Sequence, residues 1–304
     1  MGSGRFAVPS LQALSAAGHQ LLTVVTQPDR ERGRGRKLAP PPVKQAALLR
    51  NLSVFQPVRI READAVARLR DLAAELHVVV AYGQILPKAV LAIPPRGTIN
   101  VHASLLPRYR GAAPVQWAIA NGETETGVTT MLLDEGLDTG PTLLSRTTAI
   151  GSQETAAALE ERLATLGAQL LVDTLDGVAR SSLVPTQQDH ARATHAPLLT
   201  KHDGRLRWTD PATSIERKVR AFQPWPGVAN SLCGRALKIL KTRVEPAGPG
   251  EPGTLLAVDD EGLVVACGAD TRLRLLEVQS ESRRAVPAAA FAKGARLTAG
   301  QRFD

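Results

Sequence analysis

Short β-branched runs alternate with segments of helical periodicity over the first two thirds of the chain, and this alternation limits the fold more than any other feature. The runs are Leu21 to Thr26, His77 to Ala81, Gly97 to Ala103 and Thr126 to Leu133. Each is too short for a helix and rich in residues that suit a pleated, buried surface. Between them, VPSLQALSAAGH, PPVKQAALLRN, READAVARLRDLAAEL and AAPVQWAIANG place apolar residues every three or four positions, and a longer helical pattern runs from about Gln153 to Val178. The expected fold is α/β, with a doubly wound, mostly parallel sheet of Rossmann-like character.

The texture changes after residue 185. Residues 186–204 are polar and irregular, which fits a linker. From 205 to 304 one short helix, TSIERKVRAF, is followed by the strands ALKILKTRV, GTLLAV, GLVVAC and TRLRLLEV, divided by Gly, Pro and Asp turns. That pattern predicts a small OB-like β-barrel, an architecture that often binds nucleic acid. We therefore expect three segments, 1–185, 186–204 and 205–304.

Charge agrees with a polyanionic partner. The chain has 37 Lys and Arg against 29 Asp and Glu, for a net charge of +8, and residues 201–304 hold 17 basic and 12 acidic residues. No apolar stretch approaches the ~20 residues of a membrane helix, and the N-terminus lacks the charged head and apolar middle of a secretory signal. A cytoplasmic protein with no membrane partner is expected. Cys233 and Cys267 have no metal-ligand spacing, so both are expected as small buried side chains in a reducing compartment.

GSGRFA, residues 2–7, matches a dinucleotide-binding glycine pattern, with Asp29 after the next strand. That fingerprint needs a strand directly before its first glycine to aim the helix at a pyrophosphate, and only Met1 precedes it, so no dinucleotide site is assigned. A doubly wound domain that opens with a helix also lacks its first strand, which is ordinarily central. One further apolar strand before Gly2 is expected in the native chain.

INVHASLLPRYRG, residues 99–111, carries the clearest chemistry. Asn100 and His102 lie two apart on a strand, so they share a face at the edge where open α/β sheets bind ligands. A histidine exchanges protons near neutral pH, and a carboxamide donates to a developing oxyanion. The orienting acid would come from LLDEGLDTGP, where Asp134 and Asp138 sit in a glycine-punctuated loop and Asp138 could reach back over His102. No Ser or Cys nucleophile elbow accompanies them.

NVHASLLPRYRGAAPVQ joined to GVTTMLLDEGLDTGP resembles the formyltransferase family that uses 10-formyltetrahydrofolate. The likeness extends through VVTQPDRERGRGRKLAPPPVK, VVVAYGQILPKAVL, LTKHDGRLRW and VRAFQPWPG, nearly the whole chain. It implies that Asn100, His102 and Asp138 are catalytic, that no metal is required, and that initiator methionyl-tRNA accepts the formyl group. It also implies folate contacts from Ser104, Leu105, Leu106 and Pro107 in the SLLP turn, and from Ile85 and Leu86 as walls of a pterin slot. The basic stretch DRERGRGRKLAPPP would be a flexible tRNA-recognition loop, with Arg34, Arg36 and Lys37 on phosphates. A monomer is implied as well. The chain departs from the family pattern at Leu198, His202 and Gln223, where lysine, an acid and asparagine are usual. Two other readings stand beside this one: a formyltransferase acting on a sugar-nucleotide amine or a purine precursor, and a non-catalytic RNA-binding relative.

Overall fold

The β-branched runs form strands: the first three give strands shorter than the runs, and the fourth gives one of equal length displaced by one residue. The structure, a computed structural model, describes residues 1–32 and 35–304. It divides into two compact units. The first comprises Met1–Pro114, Glu125–Ala149 and Glu160–Ala196; the second comprises Val115–Thr124, Ile150–Leu159 and Pro197–Asp304. The expected linker is thus split at Ala196, with its first eleven residues packed into the first unit.

In chain order the strands up to residue 196 are β1 (Val24–Val25), β2 (Arg30–Arg32), β3 (Lys37–Ala39), β4 (Val54–Phe55), β5 (His77–Val79), β6 (Thr98–His102), β7 (Arg110–Gly111), β8 (Glu125–Leu132), β9 (Thr142–Ala149) and β10 (His195–Ala196). The helices are α1 (Val8–Ala16), α2 (Pro42–Leu48), α3 (Ala63–Asp71), α4 (Lys88–Leu91), α5 (Pro114–Ala120) and α6 (Ala156–Ala179). Proline in the first turn opens α1 and α2, where its missing N–H costs nothing. α3 turns Ala65, Val66 and Leu69 inward and stops short of its sequence pattern, because Ala73 adopts φ +47° and leaves the helical region.

β1 pairs with β4 and β5 pairs with β6, both parallel, while β6, β8 and β9 run antiparallel to one another in turn. Met1 and Gly2 join the two parallel pairs. Gly2 N–H donates to Val25 O (2.9 Å), Val80 N–H donates to Met1 O (2.9 Å), and the terminal amine donates to Val78 O (2.6 Å). Val25, Ile60, Val66, Leu69, Val79, Tyr82, Leu86 and Val90 form one buried cluster of the unit. Burying each such side chain contributes roughly 1.5–3 kcal/mol. No helix among the described residues is long and apolar enough to cross a membrane.

The second unit is built on β11 (Val228–Leu232), β12 (Arg235–Glu245), β13 (Leu255–Asp259), β14 (Gly262–Cys267), β15 (Thr271–Ser280) and β16 (Val286–Pro287), with α7 (Ala212–Ala221) and α8 (Ala288–Ala295). The strand order is β11-β12-β15-β14-β13, antiparallel throughout, with β16 on β15. The last residues join its two edges. Leu255 N–H donates to Gln301 O (2.8 Å) and Phe303 N–H to Gly253 O (2.9 Å) beside β13, while Asp304 N–H donates to Ser231 O (2.9 Å) in β11. Leu237, Ile239, Leu263, Val265, Leu273 and Leu275 fill the interior. Cys267 is buried as expected, and burial pushes its thiol up to about 12. Cys233 is exposed, contrary to expectation: it forms the β11–β12 turn with Gly234, at φ +51° and +71°, a two-residue hairpin geometry that points its side chain into solvent.

Beyond Met1, between the flanks of β1 and β5, lies a cavity of about 610 Å³ lined by Leu11, Leu14, Leu21, Leu76, Leu175 and Val178 among others. Ser10 Oγ, His19 Nε2 and His77 Nδ1 on its wall are buried without hydrogen-bond partners. Burial, and then the nearby terminal ammonium, lower the His77 pKa to about 4. The unfolded chain takes up a proton near pH 6.5 and the folded chain does not, so the contribution of His77 is intact above pH 6.5 and lost as pH falls toward 4. Urea unfolding at a series of pH values should show wild type losing about 2–3 kcal/mol more than His77→Asn across that window. Equal losses would contradict a neutral buried imidazole.

Candidate active site

β6 places Asn100 and His102 on one face, since successive side chains alternate. Asn100 is half-buried and His102 is buried. His102 Nε2 lies 2.9 Å from the backbone oxygen of Tyr109. A carbonyl can only accept, so Nε2 carries a proton and Nδ1 is the nitrogen left to gain or lose one. Nδ1 stands 3.6 Å from Asp138 Oδ2, with both side chains largely shielded from solvent. That distance permits charge attraction but is too long for a hydrogen bond.

Asp138 has φ +52°, the left-handed region that Asp tolerates better than most residues. Its carboxylate accepts the Gly111 N–H at 2.8 Å. Asp134, the other acid of the loop, accepts instead from Gly136 N–H (3.0 Å) and Thr139 Oγ1 (2.7 Å), and is exposed. It shapes the turn that carries Asp138.

The Ser104–Pro107 turn is tied down from β8. Thr129 Oγ1 donates to Ser104 O (2.7 Å) and accepts from Leu106 N–H (3.2 Å), and Ser104 Oγ donates to Arg108 O (2.6 Å). Leu105, Leu106 and Pro107 are half-buried. The two expected slot residues differ sharply: Ile85 is 91% exposed, while Leu86 packs in the buried cluster. An exposed apolar side chain and a fixed Leu-Leu-Pro turn suit a flat heterocycle, which wants apolar faces and a few backbone hydrogen bonds.

Within the basic stretch Arg30–Arg32 (β2) pairs antiparallel with Lys37–Ala39 (β3), where a flexible loop was expected. Arg34 lies outside the described residues. Arg36 is exposed, with Nε 4.0 Å from Glu31 Oε2, and Lys37 is exposed at the start of β3. Such a surface pair contributes little to stability. Of the departures, Leu198 is exposed, His202 is exposed, and the Gln223 carboxamide donates to the backbone oxygens of Val219 (3.1 Å) and Leu240.

Several residues of this site carry no signal in the sequence. Thr129 is one threonine in a strand, Tyr109 and Gly111 act through backbone groups, and Gln188 reaches the site from the polar stretch after residue 185. Gln188 Nε2 donates to Asp138 O (2.9 Å) and Gly140 O (2.7 Å), while its Oε1 accepts from Arg110 Nε (3.1 Å) and Nη2 (2.7 Å).

Known proteins resemble this chain along its whole length. Residues 1–175 match the family described as Formyl transferase, and residues 198–296 match the Formyl transferase C-terminal domain. The methionyl-tRNA formyltransferase of Solibacter usitatus is 52% identical over 304 residues, covering 100% of this chain and 97% of that one. That of Pelobacter propionicus is 52% identical over 300 residues, covering 99% and 93%. An N-formyltransferase from Helicobacter canadensis, in complex with folinic acid and dTDP-3-aminofucose, superposes with a TM-score of 0.67 at 18% identity, covering 92% of this chain and 97% of that chain. HypX from Aquifex aeolicus in complex with tetrahydrofolic acid gives 0.59 at 20%, covering 81% and 43%. At these identities the two structures establish the fold.

Thr129→Val keeps the shape of the side chain but leaves Ser104 O without its donor and Leu106 N–H without its acceptor. Denaturant unfolding should register a loss of about 1–3 kcal/mol. An unchanged midpoint would mean that the turn is held by something other than Thr129.

Proposed function

The chain belongs to the formyl transferase family, and from that membership we propose that it moves the formyl group of 10-formyltetrahydrofolate to the α-amine of methionyl initiator tRNA. The observation that carries the acceptor is the 52% identity to methionyl-tRNA formyltransferases over the whole chain. The sugar-acting relative shares 18%, so its acceptor is not adopted. Each unit presents exposed cations of the kind a nucleic-acid substrate rewards: Arg36 and Lys37 in the first, and Arg235, Lys238 and Lys241 of β12 in the second. The protein works in the cytoplasm, as a monomer.

The folate substrate, when bound, supplies a formyl carbon attached to a nitrogen that can leave. Ser104 to Pro107, with Ile85, would flank its heterocycle. The neutral α-amine adds to the formyl carbon, and negative charge gathers on the formyl oxygen. Asn100 donates its amide N–H there, a contact that strengthens as the charge grows. His102, with Nε2–H held by the Tyr109 carbonyl, exchanges its proton at Nδ1. Asp138 attracts the imidazolium from 3.6 Å without taking the Nδ1 proton in a direct bond, so that proton remains transferable. One proton leaves the amine, one reaches the departing folate nitrogen, and the new amide keeps the formyl group.

Formyl transfer from 10-formyltetrahydrofolate should be seen with methionyl initiator tRNA and not with a dTDP-amino sugar; the reverse preference would overturn the acceptor assignment. His102→Ala should lower kcat by about 10²–10⁴-fold while folate binding persists, the range for removing a proton-transfer group. Near-normal turnover would remove His102 from the mechanism. In the same assay Arg36→Ala with Lys37→Ala should raise KM for tRNA, more so at low salt than at high salt, and leave KM for folate unchanged. Unaltered tRNA kinetics would contradict a role for these two cations.

A further inference from the structure

We infer that Gln188 is a positioning residue for Asp138, and that residues 186–196 act as a strap that sets the geometry of formyl transfer. This rests on the function proposed above. Asp138 faces His102 from a left-handed backbone conformation, and its own carbonyl and that of Gly140 tie this part of the loop to Gln188. Both accept from the same amide nitrogen, at 2.9 and 2.7 Å. Gln188 is buried, and all four hydrogen-bonding capacities of its carboxamide are used, two as donor and two as acceptor.

The carboxamide is itself oriented by Arg110. This guanidinium is 4% exposed, and among the described residues no carboxylate lies within salt-bridge distance of it. Its partners are Gln188 Oε1 and His190 Nδ1, the latter at 3.2 Å from Nη1. A planar fork fixes the plane of the amide it meets, and with it which end of Gln188 faces the loop. The strap also holds the other half of the site. Thr194 Oγ1 accepts from Tyr109 N–H (2.8 Å), Thr194 O accepts from Arg110 N–H (2.8 Å), and Thr194 N–H donates to Pro107 O (3.3 Å). Tyr109 supplies the carbonyl that anchors His102, and Pro107 ends the proposed folate turn. Then β10 pairs with β7, where Gly111 at φ +120° admits the Ala196 carbonyl to a place a side chain would fill. One segment outside every recognised motif therefore fixes the acid, the anchor of the imidazole and the turn.

Gln188→Glu separates positioning from folding. A carboxylate keeps Arg110 paired but has no N–H to give the Asp138 and Gly140 carbonyls. Thermal unfolding should show a folded protein. The expected kcat loss is about tenfold to a hundredfold, with KM for both substrates unchanged and an altered pH profile of kcat. In an Asp138→Asn background the same substitution should cost less than about threefold, because the group it serves is already gone. The imidazole nitrogen resonances of His102 should move in Gln188→Glu in the direction they move in Asp138→Asn. Wild-type turnover in the Gln188→Glu variant, or an equal loss in both backgrounds, overturns the positioning role while leaving the proposed function standing. If wild type transfers formyl to no acceptor, the proposed function fails, and the His102 resonances alone decide: no movement in Gln188→Glu overturns the inference.

Discussion

A carboxylate held in left-handed backbone beside an imidazole whose other nitrogen is already engaged is the constraint on which this molecule's chemistry depends. The Tyr109 carbonyl takes the Nε2 proton of His102, so Nδ1 is the only ring atom that can exchange one, and Asp138 is the charge that faces it. Asp tolerates that conformation better than most residues, but tolerance alone does not select it. Left-handed backbone is uncommon outside glycine, and it persists here because the Gly111 amide and the Gln188 side chain hold both ends of the residue.

Much of this follows from period and spacing. Two residues apart on a strand means one face, which puts Asn100 with His102, and alternation of strand and helix gives the sheet whose edge they occupy. Asp138 belongs to a loop rich in glycine, the kind of segment that can fold back. What could not be read has a common cause. β9, TLLSRTTA, and β11, VANSL, have too few apolar residues to stand out, and β2, RER, and β3, KLA, show no apolar alternation that would mark them as strands. Gln188, Arg110 and Thr194 act through hydrogen bonds to backbone atoms far away in sequence, and such bonds leave no periodic trace. The polar composition of 186–196 suggests solvent, yet part of that polarity is spent inward. The burial of Leu86 and the exposure of Ile85 were equally hidden, since adjacent residues at the end of a strand carry no rule for which one turns in.

The site also shows how a polar interior is tolerated. Arg110 is a buried cation without a carboxylate among the described residues, a placement that costs free energy unless its donors are satisfied. Neutral acceptors on Gln188 and His190 meet it instead. A carboxylate in their place would have no hydrogens for the loop; an amide holds the guanidinium and still has two left to give. The chemistry of the site and the packing beneath it therefore draw on the same side chain.

The tail that runs from Gly300 to Asp304 has a different significance. By bonding to β13 on one side and β11 on the other, it occupies two sheet margins that would otherwise be open to any extended peptide. Deleting only these few residues would spare every group discussed in catalysis. It would nonetheless release two adhesive edges at once, so such a variant would reveal itself as insoluble protein before it revealed itself as a slow enzyme.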